Sequence, residues 1–193
     1  MKYKKLIIHN IASIQDAEID FENGLLSQSN LFLIAGKTGV GKSTILDAIC
    51  LALYNSAPRL KSAPSGNNSI YEDNAVNGGA TKLNEPKLLV RRGASQAFSI
   101  LYFEGNDGKE YAAHWSVKKT KSRKTGLYHL GDETLLLEQL PDKTFVWDKK
   151  KEVLSKIESI IGLNFEQFCR TSLLAQGEFT KFLKADDKEK ANI

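Results

Sequence analysis

The sequence predicts an α/β fold, in which a strand–loop–helix core is joined to a β-rich antiparallel region. Three observations predict it. An apolar run, Leu31-Phe32-Leu33-Ile34-Ala35, enters a glycine-rich turn and is followed by a second apolar run, Ile45–Leu53. Between residues 86 and 147, apolar and polar residues alternate as they do in antiparallel strands. From Lys149 the period changes: Val153, Leu154, Ile157, Ile160 and Ile161 recur at helical spacing, stopped by Gly162.

Taken in order, Tyr3–Asn10 and Ala17–Phe21 read as two strands joined by a short turn. Leu31–Ala35 reads as a buried strand, and Ser43–Tyr54 as the helix after the glycine-rich turn. Residues 55–85 then carry Pro58, Pro64, Gly66, Asn67, Asn68, Asn74, Asn77, Gly78, Gly79 and Asn84. That is turn and loop chemistry, and a loop of this length in a compact domain is functional or mobile. Pro86–Arg92, Ala97–Glu104 and Glu110–Lys118 read as strands, with Gly105-Asn106-Asp107-Gly108 as the hairpin turn between the last two. Leu135–Leu140 and Thr144–Trp147 form a further pair around Pro141-Asp142-Lys143. Helices are expected from Lys149 to Gly162, over Asn164–Ser172 and within Glu178–Lys190.

The bulk numbers describe a globular chain. Its 193 residues suffice for one domain with a core, and 41% hydrophobic with 26% charged residues are ordinary values. No apolar run approaches the length of a membrane-spanning helix, about 18 residues. The first residues, Met1 to Asn10, are basic, but their apolar part is too short for a signal peptide. Cys50 and Cys169 lie far apart on apolar faces and read as buried thiols, consistent with a reducing, cytoplasmic compartment. A net charge of +4 says little by itself about nucleic acid.

The glycine-rich turn is Gly36-Lys37-Thr38-Gly39-Val40-Gly41-Lys42-Ser43-Thr44. It has the P-loop spacing, two glycines with four residues between them followed by Lys and Ser, in the strand–loop–helix setting the motif requires. Glycines let successive backbone N–H groups curl toward phosphate oxygens, and the helix N-terminus adds its dipole. The loop from Lys37 to Thr44 is the expected phosphate cradle, the role that the family resemblance given below implies for these residues. Lys42 is placed to reach the β- and γ-phosphates of ATP, and Ser43 to ligate Mg²⁺.

Two further segments have two readings each. Ser172–Leu183 is an apolar stretch interrupted at Gln176-Gly177 and resumed as an amphipathic helix. Gln176 is either a solvent-facing amide, which the local sequence favours, or a ligand that offers oxygen to Mg²⁺ and nitrogen to a water. Lys118, Lys119, Lys121, Arg123 and Lys124 crowd a hairpin tip. They are either a solvated tip or a contact for duplex DNA, which gains from neutralisation by counterion release. Arg59 and Lys61 look isolated. Trp115, Trp147 and the phenylalanines alternate with polar residues and read as core. His9, His114 and His129 lack metal-ligand spacing and read as structural.

The chain resembles the N-terminal ATPase lobe of the SbcC exonuclease subunit, a DNA-repair ATPase related to the SMC proteins. The residues carrying the resemblance are Leu6–Ile14, Glu18–Phe21, the P-loop, Leu46–Tyr54, Pro58–Leu60, Phe168–Phe179, Phe182-Leu183 and Lys188–Lys190. It is weakest between about Ser62 and Lys150. The resemblance implies a P-loop ATPase head of ABC/SMC type. Its core would span 1–60 and about 149–193, and its β-rich and loop region about 61–148. Gln176 then matches the Q-loop glutamine, which contacts Mg²⁺ and the attacking water, so that Lys42 and Gln176 serve catalysis. Many relatives outside the SbcC branch carry an arginine soon after the first-strand Asn, whereas this chain has Ile11-Ala12-Ser13.

Several parts of such a head are missing from the sequence: a Walker B segment, an ABC signature, a Cys-x-x-Cys hook and coiled-coil heptads. One lobe is therefore expected, with the C-terminal lobe and coiled coil absent and little hydrolysis in isolation. The implied partners are that C-terminal lobe, a second copy of the head joined through ATP, an SbcD-like nuclease, and double-stranded DNA bound by Lys119, Lys121, Arg123 and Lys124. The implied function is the ATP-binding half of a double-strand-break repair ATPase that controls the nuclease on DNA ends. The alternatives are an SMC-like DNA-tethering ATPase without a nuclease, and a nucleotide-binding switch without turnover.

Overall fold

The computed structural model describes residues 1–28, 32–61, 69–70, 81–82, 84–123, 126–143 and 145–171. The strands are β1 (Lys2–Ile11), β2 (Ile14–Asp20), β3 (Ser69–Ile70), β4 (Thr81–Lys82), β5 (Gln96–Glu104), β6 (Glu110–Lys121), β7 (Tyr128–Leu130), β8 (Thr134–Gln139) and β9 (Val146–Trp147). The helices are α1 (Lys42–Tyr54), α2 (Pro58–Lys61), α3 (Lys150–Ile161) and α4 (Phe165–Thr171). One seven-stranded antiparallel sheet runs β2-β1-β5-β6-β8-β9, with β7 paired to β6; β3 and β4 pair separately.

Alternation sets the two faces of the sheet. Leu6, Ile8, Ala97, Leu101, Phe103, Tyr111, Ala113, Trp115, Leu135 and Leu137 point inward and are buried. The helix α1 lies across β1, β5 and β6, while α3 packs on β8. Eight consecutive residues of α1, Asp47 to Tyr54, are buried, so this C-terminal part of the helix is enclosed on all sides. Buried Ser99 on β5 donates its hydroxyl to Ala48 O at 2.8 Å, tying sheet to helix.

Caps fix α3 and α4. At α3, Gly162 takes the left-handed cap, and the β5–β6 turn closes the end through Asn106 Nδ2 to Ile161 O at 2.6 Å. At α4, Asn164 and Gln167 satisfy each other's backbone N–H groups, each at 3.0 Å, as a reciprocal capping box.

Two strand expectations are corrected. Residues 32–35, the described part of the expected strand Leu31–Ala35, form no strand. Phe32 packs on Phe21, with ring centroids 5.2 Å apart, but Leu33 is 91% exposed. A strand exists only where a neighbour accepts its hydrogen bonds, and no described strand lies beside this stretch. Pro86–Arg92 is the second case. Pro86–Leu89 is a short 3-10 helix with proline at its start, and only Val90 bridges, to Ile11. Proline preorganises a helical first turn, which overrode the short alternation.

Some side-chain expectations also change. Phe145 is exposed rather than core, whereas Trp115 is fully buried. Cys50 is buried, Cys169 is half-buried, and neither forms a disulfide. His9 stacks on Phe98 and meets Asp16 Oδ1 at 2.6 Å. Burial holds His114 below the usual histidine range, against the opposing pull of Glu138 at 3.6 Å. Among the described residues, no cluster of three or more His, Cys, Asp or Glu side chains could hold a metal, and no helix is long and apolar enough to cross a membrane.

Candidate nucleotide-binding site

The loop before α1 takes its shape from its glycines. Gly39 and Gly41 have φ of 89° and 101°, in the region that favours glycine. Gly41 is the N-cap of α1 and faces the β1–β2 turn so closely that a Cβ there would sit 3.0 Å from Ser13 Oγ and 3.1 Å from Ile14 Cγ1. Alanine at this position would be strained by both conformation and space.

No side chain caps the N-terminus of α1. The first-turn N–H groups of a helix lack intrahelical acceptors, and together with the dipole they attract an anion. Those donors belong to Lys42, Ser43 and Thr44. Lys37, Thr38, Gly39 and Val40 are exposed around the loop. Lys42 Nζ folds back over it, donating to Gly36 O at 2.7 Å and Lys37 O at 2.8 Å. An ammonium has three donors, so one remains for a phosphate oxygen. Ser43 is exposed in the first turn. It supplies the kind of hard oxygen ligand that Mg²⁺ takes alongside phosphate oxygens and water, and the position fits that ion.

Thr44 behaves differently from the rest of the cradle. It is 2% exposed, and its hydroxyl lies 3.3 Å from both Ser13 Oγ and Arg59 Nη2. Its side chain thus joins the β1–β2 turn, α1 and α2, leaving only its backbone for phosphate. Arg59 also forms an ion pair with Asp47, one turn along α1. Arg59 is therefore not isolated, contrary to expectation. Asp47 is 2% exposed. Burial raises its pKa above the ordinary carboxylate value, and Arg59 only partly offsets this. A carboxylate inside an apolar helix demands a cation, and that was the signal in the sequence that could have found the pair.

A second arginine was not foreseen. The β1–β2 turn contains none, but Arg91 approaches it from the segment before β5. Arg91 Nη1 donates to Ser13 O at 3.1 Å and lies 3.4 Å from Ala12 O. Nothing in the local spacing announces a contact across 78 residues.

The basic cluster lies on the β6–β7 hairpin. Lys119 is half-buried opposite Leu130, and Lys121 and Arg123 are exposed. Gln96 pairs with Lys118 and Phe98 with His9, so this ribbon leaves the same end of the sheet as the β1–β2 turn. Lys124 and Gln176 lie outside the described residues. An open cavity of about 330 Å³ exists elsewhere, on the outer sheet face beside Ile7, His9, Asp16, Glu18 and Phe98. Its carboxylates, Asp16 and Glu18, would repel phosphate.

The chain has relatives among known proteins. A family model described as an AAA domain matches residues 5–193. The chain belongs to the AAA domain family. Within it, the chain is similar to the SbcC component of the SbcCD nuclease of Pseudomonas aeruginosa, at 37% identity over 100% of this chain and 16% of that protein. The same component from Rhodobacter capsulatus is 37% identical over 95% of this chain and 14% of its own length. The kinship to SbcC read from the sequence holds. The chain spans only about a sixth of these relatives, 16% in the Pseudomonas case. A solved structure described under "Structural biochemistry of ATP-driven dimerization and DNA stimulated activation of SMC ATPases" superposes with a TM-score of 0.59. It is 20% identical, and the match covers 99% of this chain and 96% of that one. The AAA domain here therefore has the fold of an SMC-type P-loop ATPase head, with the antiparallel sheet as its β-rich part.

Proposed function

We propose that this AAA domain binds ATP with Mg²⁺ as the N-terminal lobe of an SbcC-like repair ATPase, controlling a partner nuclease on DNA ends. The observation that carries this is the uncapped first turn of α1, with glycine in the left-handed region before it and Lys42 folded across the loop. Lys37 to Thr44 would hold the phosphates, Ser43 and Gln176 would hold Mg²⁺, and Gln176 would also align a water. When bound, Mg²⁺ would supply neutralisation of the phosphate charge. The chain's own residues bind and orient the triphosphate.

Exposed Leu33 and Ile34 ahead of the loop support a complementary C-terminal lobe whose strand covers them. Two heads would then close around ATP, each completing the other's site. The fold core would comprise 1–60 and about 149–193, with 61–148 inserted. Lys119, Lys121, Arg123 and Lys124 would meet duplex DNA beside the closed heads, in the cytoplasm. The names of the relatives support an SbcD-like nuclease as partner.

The test is phosphate release from ATP by the chain alone and with a complementary C-terminal lobe. Turnover should be near zero alone, because catalysis of phosphoryl transfer is almost entirely positioning and electrostatics, and should rise when the lobe is added. Gln176→Ala should then lower it with little loss of ATP affinity. Brisk turnover by the chain alone would refute the assignment.

A further inference from the structure

The β1–β2 turn has a conformation that needs holding. Ala12 has φ 45°, in the left-handed region that a non-glycine residue rarely adopts. Two sets of bonds hold it from the segment before β5. In the backbone, Ala12 N–H donates to Leu89 O at 2.7 Å and Arg91 N–H to Asn10 O at 2.8 Å. Beyond that short ladder, the Arg91 guanidinium reaches the carbonyls of Ala12 and Ser13. Bonds from a charged donor are stronger than neutral ones.

The clamped turn presses directly on the phosphate cradle. Ser13 Oγ lies 3.3 Å from Thr44 Oγ1, and a Cβ on Gly41 would come within 3.0 Å of it. Gly41 and Thr44 bracket Lys42 and Ser43, so the turn touches both ends of the segment whose N–H groups aim at phosphate. A shift of about 1 Å in such a site costs much affinity, whereas positions held within about 0.5 Å preserve it. Arg91 contributes little to the core, since it is half-buried next to exposed Arg92 and Gly93.

We propose that Arg91 is a positioning residue for the nucleotide, acting through Ala12–Ser13 to hold Gly41 and the first turn of α1 in phosphate-binding geometry. This rests on the nucleotide reading above. The turn contacts the backbone part of the cradle, which serves the α/β-phosphates, and not Lys42 Nζ, which serves the β/γ side. Loss of Arg91 should therefore weaken ADP and ATP alike.

The test is calorimetric titration of the intact protein with Mg-ADP and with a non-hydrolysable Mg-ATP analogue, alongside melting temperatures. Arg91→Ala should weaken both ligands about tenfold, the worth of one charge-assisted bond. The melting temperature should stay within about 2 °C. Arg91→Lys, which keeps one donor in reach, should recover part of the affinity. Adding Ser13→Ala to Arg91→Ala should cost less than the two single changes combined, because both act through one turn. Wild-type affinity in Arg91→Ala would overturn this inference alone. So would a loss matched by a fall in melting temperature and not recovered by lysine. Failure of the wild type to bind either ligand would overturn the nucleotide reading, and this inference with it.

Discussion

At its C-terminal end α1 runs into aromatic packing. Tyr54 meets Phe165 and Phe168 at 5.7 and 5.2 Å between ring centroids, and its hydroxyl donates to Leu163 O at 3.0 Å. Asn55 follows as a left-handed cap, and its side chain accepts the buried Trp115 N–H at 2.8 Å. At its N-terminal end the same helix emerges among polar groups: the uncapped first turn, the Lys42 ammonium, the hub at Thr44 and the Arg59–Asp47 pair. One end is fixed by apolar burial, which is non-directional and strong. The other is fixed by a few directional contacts that leave donors pointing outward. The difference teaches how a rod anchored at one end can offer a ready-made anion site at the other without the binding energy having to order the helix.

Changes at the two ends should therefore separate stability from binding. Leu51→Ala, at a fully buried position, should lower unfolding free energy by about 3–4 kcal/mol. Urea denaturation reads this, and the folded fraction should still bind nucleotide normally. Lys42→Ala should do the reverse, weakening ATP about a hundredfold or more, about 3 kcal/mol, as charge-assisted phosphate contacts are lost. Its urea midpoint should not move, and a large shift would break the comparison.

Arg59→Ala sharpens it further. Removing the cation strands a buried carboxylate and should cost about 2 kcal/mol at pH 7. The sign with pH follows from Asp47, whose folded pKa already lies above its ordinary value. Its ionisation works against folding, so that cost is absent below the unfolded carboxylate pKa, about 4, and grows as pH rises through the folded value. The deficit of Arg59→Ala should shrink on acidification, as followed by urea unfolding between pH 7 and pH 5. A deficit constant with pH would mean that the pair does not govern Asp47. The smallest effect is expected from Tyr54→Phe. Losing one hydroxyl bond while keeping the ring should cost about 1 kcal/mol, with ATP affinity unchanged by calorimetry.

What was legible in the sequence was local. Glycines spaced for a cradle, apolar residues at helical period in α3, and Gly105–Gly108 between alternating runs each carry their structure within a dozen residues. The strand at Leu31–Ala35 was misread because an apolar run signals burial, yet pairing depends on a neighbour that no described strand supplies. Arg59 and Arg91 escaped for a related reason. Each matters through a partner elsewhere in the chain, Asp47 on α1 and the carbonyls of Ala12 and Ser13 on the β1–β2 turn. Only Asp47, a charge within an apolar helix, left a trace. Gln176, named from the family resemblance, lies outside the described residues.

The exposed pair Leu33 and Ile34 has a practical consequence. Apolar side chains of this kind, uncovered next to a solvent-facing loop, are sticky until another polypeptide shields them. Without such a cover, solutions of the chain should self-associate as concentration rises, which sedimentation velocity would reveal. Replacing both residues with Ser should restore a monomer. If a C-terminal lobe covers the pair as proposed, the interval before that lobe is made would expose the patch to chaperones and other nascent chains, a vulnerable stage in the protein's biogenesis.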